Sequence, residues 1–152
     1  MSGTLNVTEN EAKYLKLIYR KQREESQTIR TTEMAYLLGV RPASVTEVLQ
    51  NLDKKGLLQY TPYQGVKLTK QGRRTAETFL RKHRILETLL THTLSYSPDE
   101  ACQESLKLDY HASTQLIDAI CHTLGHPKLC PCGKPIFRGS DCEIIEGDDV
   151  DE

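Results

Sequence analysis

Thr31-Thr-Glu-Met-Ala35-Tyr-Leu-Leu-Gly39-Val-Arg-Pro42-Ala-Ser-Val45-Thr-Glu-Val-Leu-Gln-Asn-Leu52 is the stretch whose reading decides the fold. Thr31 or Thr32 can accept from an orphan amide and start a short helix, Glu33 to Leu38. Gly39 closes it, since glycine adopts the left-handed conformation without steric cost. Pro42 then falls in the first turn of another helix, where its missing N–H is not needed. Val45, Val48, Leu49 and Leu52 recur on one face of that helix, and Gly56 ends it. Ala35 is small where the two helices would cross, Gly39 makes the turn, and Val45 packs beneath it. These are the steric requirements of a helix-turn-helix.

Downstream, two β-prone runs, Leu57-Leu-Gln-Tyr60 and Val66-Lys-Leu-Thr69, are joined by Thr-Pro-Tyr-Gln-Gly, a hairpin connection. A helix-turn-helix followed by a hairpin is a winged helix. Upstream, Thr8-Glu-Asn-Glu11 is a capping box, and Tyr14, Leu15, Ile18 and Tyr19 make 9–24 an amphipathic helix. Beyond the hairpin a long helix is expected from Lys70 to about Thr93, with Ala76, Phe79, Leu80, Leu86, Leu89 and Leu90 as its apolar face. Ser97-Pro98-Asp-Glu100 repeats the start signal. Ser113 opens a last helix carrying Leu116, Ile117, Ile120 and Leu124, stopped by Gly125-His-Pro127. A Cys-rich segment follows, and the tail from Asp141, with seven acidic residues, reads as disordered. The fold class is mainly α: a winged helix-turn-helix over 1–72, a helical dimerisation domain over 73–128, and a terminal segment over 129–152.

With 38% hydrophobic and 27% charged residues, the 152-residue chain suits a soluble globular protein rather than a disordered one. No run approaches the roughly 18 apolar residues of a membrane helix. Met1-Ser-Gly-Thr-Leu-Asn6 lacks the basic and apolar parts of a signal peptide. A cytoplasmic location without a membrane partner is expected. The net charge of -1 hides a dipolar chain: residues 1–84 balance at +8 and residues 85–152 at -9. The basic half is suited to a polyanion.

Double-stranded DNA is the expected partner. Lodged in a major groove, the second helix of the helix-turn-helix would present Arg41, Pro42, Ala43, Ser44, Thr46, Glu47, Gln50, Asn51 and Lys54. Ala43 and Glu47 lie on the leading edge, where Ala can meet a thymine methyl and a carboxylate can accept from cytosine N4. Ser44, Thr46, Gln50 and Lys54 are placed to hold phosphates. Tyr63, Gln64 and Lys67 of the wing would reach the flanking backbone.

The chain resembles the diphtheria toxin repressor/manganese transport regulator family of metal-dependent repressors. The resembling residues are Tyr14-Leu-Lys-Leu-Ile-Tyr19, Leu38-Gly-Val-Arg-Pro-Ala-Ser-Val-Thr46, Tyr63-Gln-Gly-Val-Lys-Leu-Thr-Lys-Gln-Gly72, Arg81-Lys-His-Arg-Ile-Leu-Glu87 and Cys130-Pro-Cys-Gly-Lys-Pro-Ile136. They stand in one register over roughly 8–138. The resemblance implies a homodimer on a palindromic operator, with half-sites about 34 Å apart. Some relatives continue into an SH3-like third domain, which is expected to be absent here. The family's principal metal site falls on Lys13 (with Lys16 one turn on), Leu106, Asp109 and Tyr110, which make a poor divalent site. A Lys13–Asp109 ion pair in place of the cation is one expectation. The family's second site aligns with His83, Glu87 and Cys102, which could hold a transition metal.

Five cysteines in a reducing compartment point to ligation or redox chemistry before disulfides. Cys102, Cys130, Cys132 and Cys142 could form a tetrathiolate site for zinc, iron or an iron–sulfur cluster. Cys121 is the substitute fourth ligand, and His122 and His126 are spare imidazoles. A thiol/disulfide switch is the other reading of the set. No phosphate loop, dinucleotide fingerprint or His-Glu-x-x-His run is present, so an enzyme is not expected. The function expected is a DNA-binding regulator, a repressor, responsive to metal, cluster or redox state. The alternative is a metal-independent winged-helix binder whose cysteines are structural.

Overall fold

The computed structural model describes residues 6–139 and Cys142, so the acidic tail and its expected disorder lie outside the described residues. The chain divides into two compact units between Glu77 and Thr78.

The first unit begins with the capping box. Thr8 Oγ1 accepts from Glu11 N at 3.1 Å, and Glu11 Oε1 accepts from Thr8 N at 3.0 Å. It opens α1, Glu9–Tyr19, whose Ala12, Tyr14, Leu15 and Ile18 are buried. Helical winding continues to Glu24, but over Arg20–Glu24 it widens to π spacing. α2 is Thr31–Leu38; its N-cap is Arg30 and makes no side-chain bond, so neither Thr31 nor Thr32 caps it. Thr31 already belongs to the helix. Gly39 at φ 67° turns the chain into α3, Pro42–Lys54, and Gly56 at φ 75° takes it out. Val45, Leu49 and Leu52 are buried. Val48 is only half-buried, because it lines an open cleft with Thr8, Asn10, Glu11, Asn51, Lys54 and Lys55.

The hairpin pairs β1, Leu58–Thr61, with β2, Gly65–Leu68, Leu58 opposite Leu68. Both strands sit one residue from the expected positions. Leu57 is used otherwise: its N–H donates to Leu52 O at 3.0 Å and its carbonyl accepts from Thr69 N at 3.1 Å. Asp53 Oδ2 accepts from Tyr60 N at 2.9 Å, and Gln22 Nε2 donates to Val66 O at 2.6 Å. The wing is thereby tied to α3 and to the π-helical turn. α4, Lys70–Leu94, starts against the same crossing. A Cβ on Gly72 would stand 1.7 Å from Leu57 O, so glycine is required by the close approach.

In the second unit, Ser97 and Glu100 form another capping box for α5, Pro98–Leu108, and Ser113 caps α6, Thr114–Thr123. Ile85, Leu86, Ile117, Cys121, Cys130, Ile136 and Cys142 make one apolar cluster. Leu116, one step round α6 from Ile117, is exposed, as are Leu94, Leu106 and Leu108. After α6, Cys130 N donates to Lys134 O and Ile136 N to Lys128 O, both at 2.9 Å, folding the Cys-rich segment into a tight loop.

Glu11 is also bonded by Lys55 Nζ at 2.7 Å. Burial works against its charge, but the Lys55 and Thr8 bonds outweigh it and hold the carboxyl below the usual glutamate range. A depressed carboxylate stabilises the fold above its unfolded pKa, and that stability is lost as pH falls through the folded one. Glu11→Gln keeps the capping geometry and removes the charge. Urea unfolding is expected to show a loss of about 1–2 kcal/mol at pH 7, shrinking towards zero as pH falls through the acid carboxylate range. Gly72→Ala is expected to cost about 3 kcal/mol at any pH, read from the same titrations.

Candidate metal centre and nucleic-acid interface

On α3, Arg41, Pro42, Ala43, Ser44, Glu47, Gln50, Asn51 and Lys54 are all exposed. The buried stripe Val45, Leu49 and Leu52 fixes the helix by its other side. Thr46 differs: it is half-buried, and its hydroxyl donates to Pro42 O at 3.2 Å, back onto its own helix. In the wing Tyr63 is wholly exposed on left-handed backbone, φ 66°, with Gln64 and Lys67 exposed beside it in sequence. The +8 of residues 1–84 includes Arg81, Lys82 and Arg84, which are 7%, 9% and 2% exposed in the second unit. Taking those three away leaves +5 for residues 3–77. The basic surplus of the winged helix is real but smaller than the half-chain count implies.

His83 is the centre of the other site. It is 1% exposed on α4, with Glu87 one turn on at 3%. Asp109, at the C-cap of α5, faces His83 Nδ1 at 3.0 Å. Nε2 lies 2.6 Å from Glu87 Oε1, a contact that a shared proton must bridge, and 3.6 Å from Cys102 Sγ. With Nδ1–H donating to Asp109, a cation replacing that proton would receive the Nε2 lone pair. Cys132 Sγ lies 3.8 Å from Glu87 Oε2. Partial burial pushes the Cys132 thiol up, and the neighbouring Glu87, Cys130 and Cys102 add to the effect. An imidazole nitrogen, a carboxylate and the Cys102 sulfur therefore converge, all electron-pair donors, which is the chemistry of a cation site, and Cys132 stands at its rim beside Glu87. A buried carboxylate on the far nitrogen of a histidine is the usual support of a metal-ligating imidazole.

The four sulfurs read as one tetrathiolate are not brought together. Cys102 and Cys132 stand by His83 and Glu87, Cys142 stands by Cys121 and His126, and Cys130 is 5% exposed in the apolar cluster. Cys-x-Cys spacing across Pro131 sends successive thiols in different directions, so sequence proximity misleads here. Of the aligned principal-site residues in the second unit, Leu106 and Tyr110 supply no ligand. Lys13 is exposed, Leu106 is 45% exposed, and Tyr110 stacks on Phe79 with ring centroids 5.7 Å apart. Asp109, expected to pair with Lys13, is 2% exposed and engaged with His83. Asp109 as the orienting group and Cys132 as a neighbour of Glu87 were missed by the sequence reading. A buried acid one helix away from a histidine leaves no spacing signal. Cys132 could have been placed only by knowing the loop.

Residues 6–66 match the N-terminal DNA-binding domain of the iron-dependent repressors, and residues 69–138 match their metal-binding and dimerisation domain. The chain belongs to the iron-dependent repressor family. It is 33% identical over 107 residues to an uncharacterized HTH-type transcriptional regulator of Methanocaldococcus jannaschii, covering 70% of this chain and 86% of that one. The transcriptional regulator MntR of Geobacillus kaustophilus is 33% identical over 97 residues, 64% of this chain and 68% of its own. Among solved structures, a manganese-dependent transcriptional repressor in complex with manganese superposes with a TM-score of 0.79 at 34% identity, covering 86% of this chain. This chain spans 59% of that repressor's length. As a member of the family, the chain is a DNA-binding transcriptional regulator built of a winged helix and a metal-binding domain. Its relatives are regulators rather than enzymes, and a metal-blind binder is not the reading they favour. They lend no support to an iron–sulfur cluster. No helix among the described residues is long and apolar enough to cross a membrane.

Proposed function

We propose that this protein is a cytoplasmic metal-gated repressor: a homodimer that grips a palindromic operator through α3 and the wing, with its gating ion held by His83, Glu87, Cys102 and Cys132. The observation that carries this reading is the convergence of Glu87 and Cys102 on the buried His83 Nε2, with Asp109 fixing the ring from behind and Cys132 at the exposed rim beside Glu87. When bound, the ion supplies the positive charge against which a buried carboxylate and the neighbouring thiolates can be held together. The chain does the rest. Glu87 rides on the same helix as His83, Cys102 on α5 and Cys132 on the loop after α6, so the donors draw three segments of the second unit to one point. Two sulfurs, one nitrogen and a carboxylate suit zinc or iron(II) better than manganese. A four-thiolate cluster has little behind it, given the division of the cysteines. The exposed Leu94, Leu106, Leu108 and Leu116 support association of two copies through α4–α6. Two copies would set two α3 helices about 34 Å apart on one face of the duplex. Ala43 and Glu47 then meet base edges, and Ser44, Gln50, Arg41 and Lys54 hold phosphates.

The deciding experiment selects operators from random palindromes and measures affinity at fixed salt for zinc-loaded and chelator-treated protein. A difference of at least about tenfold is expected, equivalent to about 1.4 kcal/mol of coupling. Equal affinities would return the metal-blind binder. Within the same assay Glu47→Ala is expected to relax preference at one base pair per half-site, whereas Lys54→Ala weakens all sequences alike and lowers the salt slope by about one. Asp109→Asn keeps the shape of the orienting group and is expected to weaken zinc about 10–100-fold, read by competition with a chromophoric chelator.

A further inference from the structure

A second convergence of donors lies in the same unit and is made by different residues. Cys121 is 2% exposed on α6, and His126 follows the end of that helix. The helix finishes at Thr123, Gly125 adopts φ 76°, and His126 N donates back to Cys121 O at 2.9 Å. This six-to-one bond is a Schellman closure, and it sets residue 126 beside residue 121. His126 itself sits at φ 55°, a conformation that a non-glycine residue adopts at a cost. From the other side, Cys142 N donates to Gly139 O at 3.0 Å, and this turn delivers a third donor, 7% exposed.

The three distances are informative. Cys121 Sγ lies 3.7 Å from Cys142 Sγ, and His126 Nδ1 lies 3.4 Å from the first sulfur and 3.2 Å from the second. A tetrahedral zinc ion with ordinary Zn–S and Zn–N bonds sets its ligands about 3.8 Å apart for two sulfurs and about 3.6 Å for sulfur and nitrogen. The observed triangle is that of three tetrahedral ligands, contracted by a few tenths of an ångström at the imidazole edges.

The surroundings of the triangle ask for negative charge. Arg81 is 7% exposed, and its Nη1 donates to Asp118 at 2.7 Å. Its Nε and Nη2 are buried with no oxygen or nitrogen acceptor, which leaves the neighbouring Cys121 thiol as the guanidinium's further partner. Buried donors left unpaired are costly. A Cβ on Gly139 would meet Arg81 Nη2 at 2.6 Å, so glycine admits the chain against the guanidinium. Two neutral thiols give the guanidinium little to bond. Two metal-bound thiolates would give it sulfur acceptors while the ion and the cation balance their charge.

We propose that Cys121, His126 and Cys142 form a second, structural metal centre for a zinc-like divalent ion, with Arg81 as its outer-shell donor. Binding is a ligand exchange: one aquo ion enters, two thiol protons leave to solvent, and no oxidant is consumed. Three protein ligands leave one tetrahedral position for water or another small ligand. The centre pins the chain around Cys142 to the end of α6. It shares no residue with the His83 centre. Cys142 also lies beyond residues 69–138, the span matched to the family's metal-binding domain.

The test uses the full chain, reduced and stripped, then titrated with Zn2+ alone and with Co2+ as a spectroscopic reporter. Wild type is expected to bind two ions per chain. Cys142→Ser and His126→Asn are each expected to bind one, with unchanged helical circular dichroism and a weaker thiolate-to-cobalt charge-transfer band. Alkylation mapped by mass spectrometry is expected to show Zn2+ protecting Cys121 and Cys142 in wild type, and not Cys121 in Cys142→Ser. One ion per chain that survives both substitutions would overturn the proposal and leave the His83 centre standing. One ion lost on those substitutions, yet kept in Cys102→Ser, would support this centre and count against the other. A Cys121–Cys142 disulfide in air, with no zinc bound after reduction, would also overturn it.

Discussion

A buried imidazole held between two carboxylates is the constraint on which the second unit depends. His83 cannot turn: Asp109 takes one nitrogen, Glu87 faces the other, and all three are within 3% of complete burial. Such a trio is tolerable in a low-dielectric interior only if protons or a cation compensate the acids. That requirement links α4 to α5 through His83 and Asp109. It also explains why an acid stands where the aligned principal site would need a ligand: Asp109 supports its neighbour's lone pair.

In the first unit the corresponding economy is at Glu11. One carboxylate closes the start of α1 and receives Lys55 from beyond the end of α3. Asp53 and Gln22 then fasten the hairpin through backbone groups, so the wing's position owes nothing to its own short ladder. A two-stranded hairpin is marginal alone. The exposed residues of α3 and Tyr63 are therefore presented by a scaffold whose polar ties all lie behind them.

Much of this was legible in the sequence. The caps at Thr8, Ser97 and Ser113, the glycines at 39 and 56, and the 3.6-residue spacing of Val45, Leu49 and Leu52 are local signals, and the fold obeys them. His83 and Glu87 stand one turn apart on α4, whereas Cys102 on α5 joined them only through the family resemblance. What was not legible depends on how loops return. Cys130 and Cys132 differ by two positions and end in different environments, because the loop closes through Lys134 and Lys128. Cys142 finds Cys121 through a turn at Gly139 whose fit to Arg81 is a matter of tenths of an ångström. Arg81, Lys82 and Arg84 look like part of a basic face in the sequence, and burial removes them from it.

Pro131 splits a thiol pair into two chemical populations. Cys130 is sealed in the apolar cluster, whereas Cys132 reaches the surface beside Glu87. Any electrophile or oxidant arriving from water therefore meets Cys132 first, and meets it as a sluggish nucleophile because its proton is held more tightly than usual. Damage at this rim would register at the donor cluster around His83 while the apolar interior stayed chemically untouched.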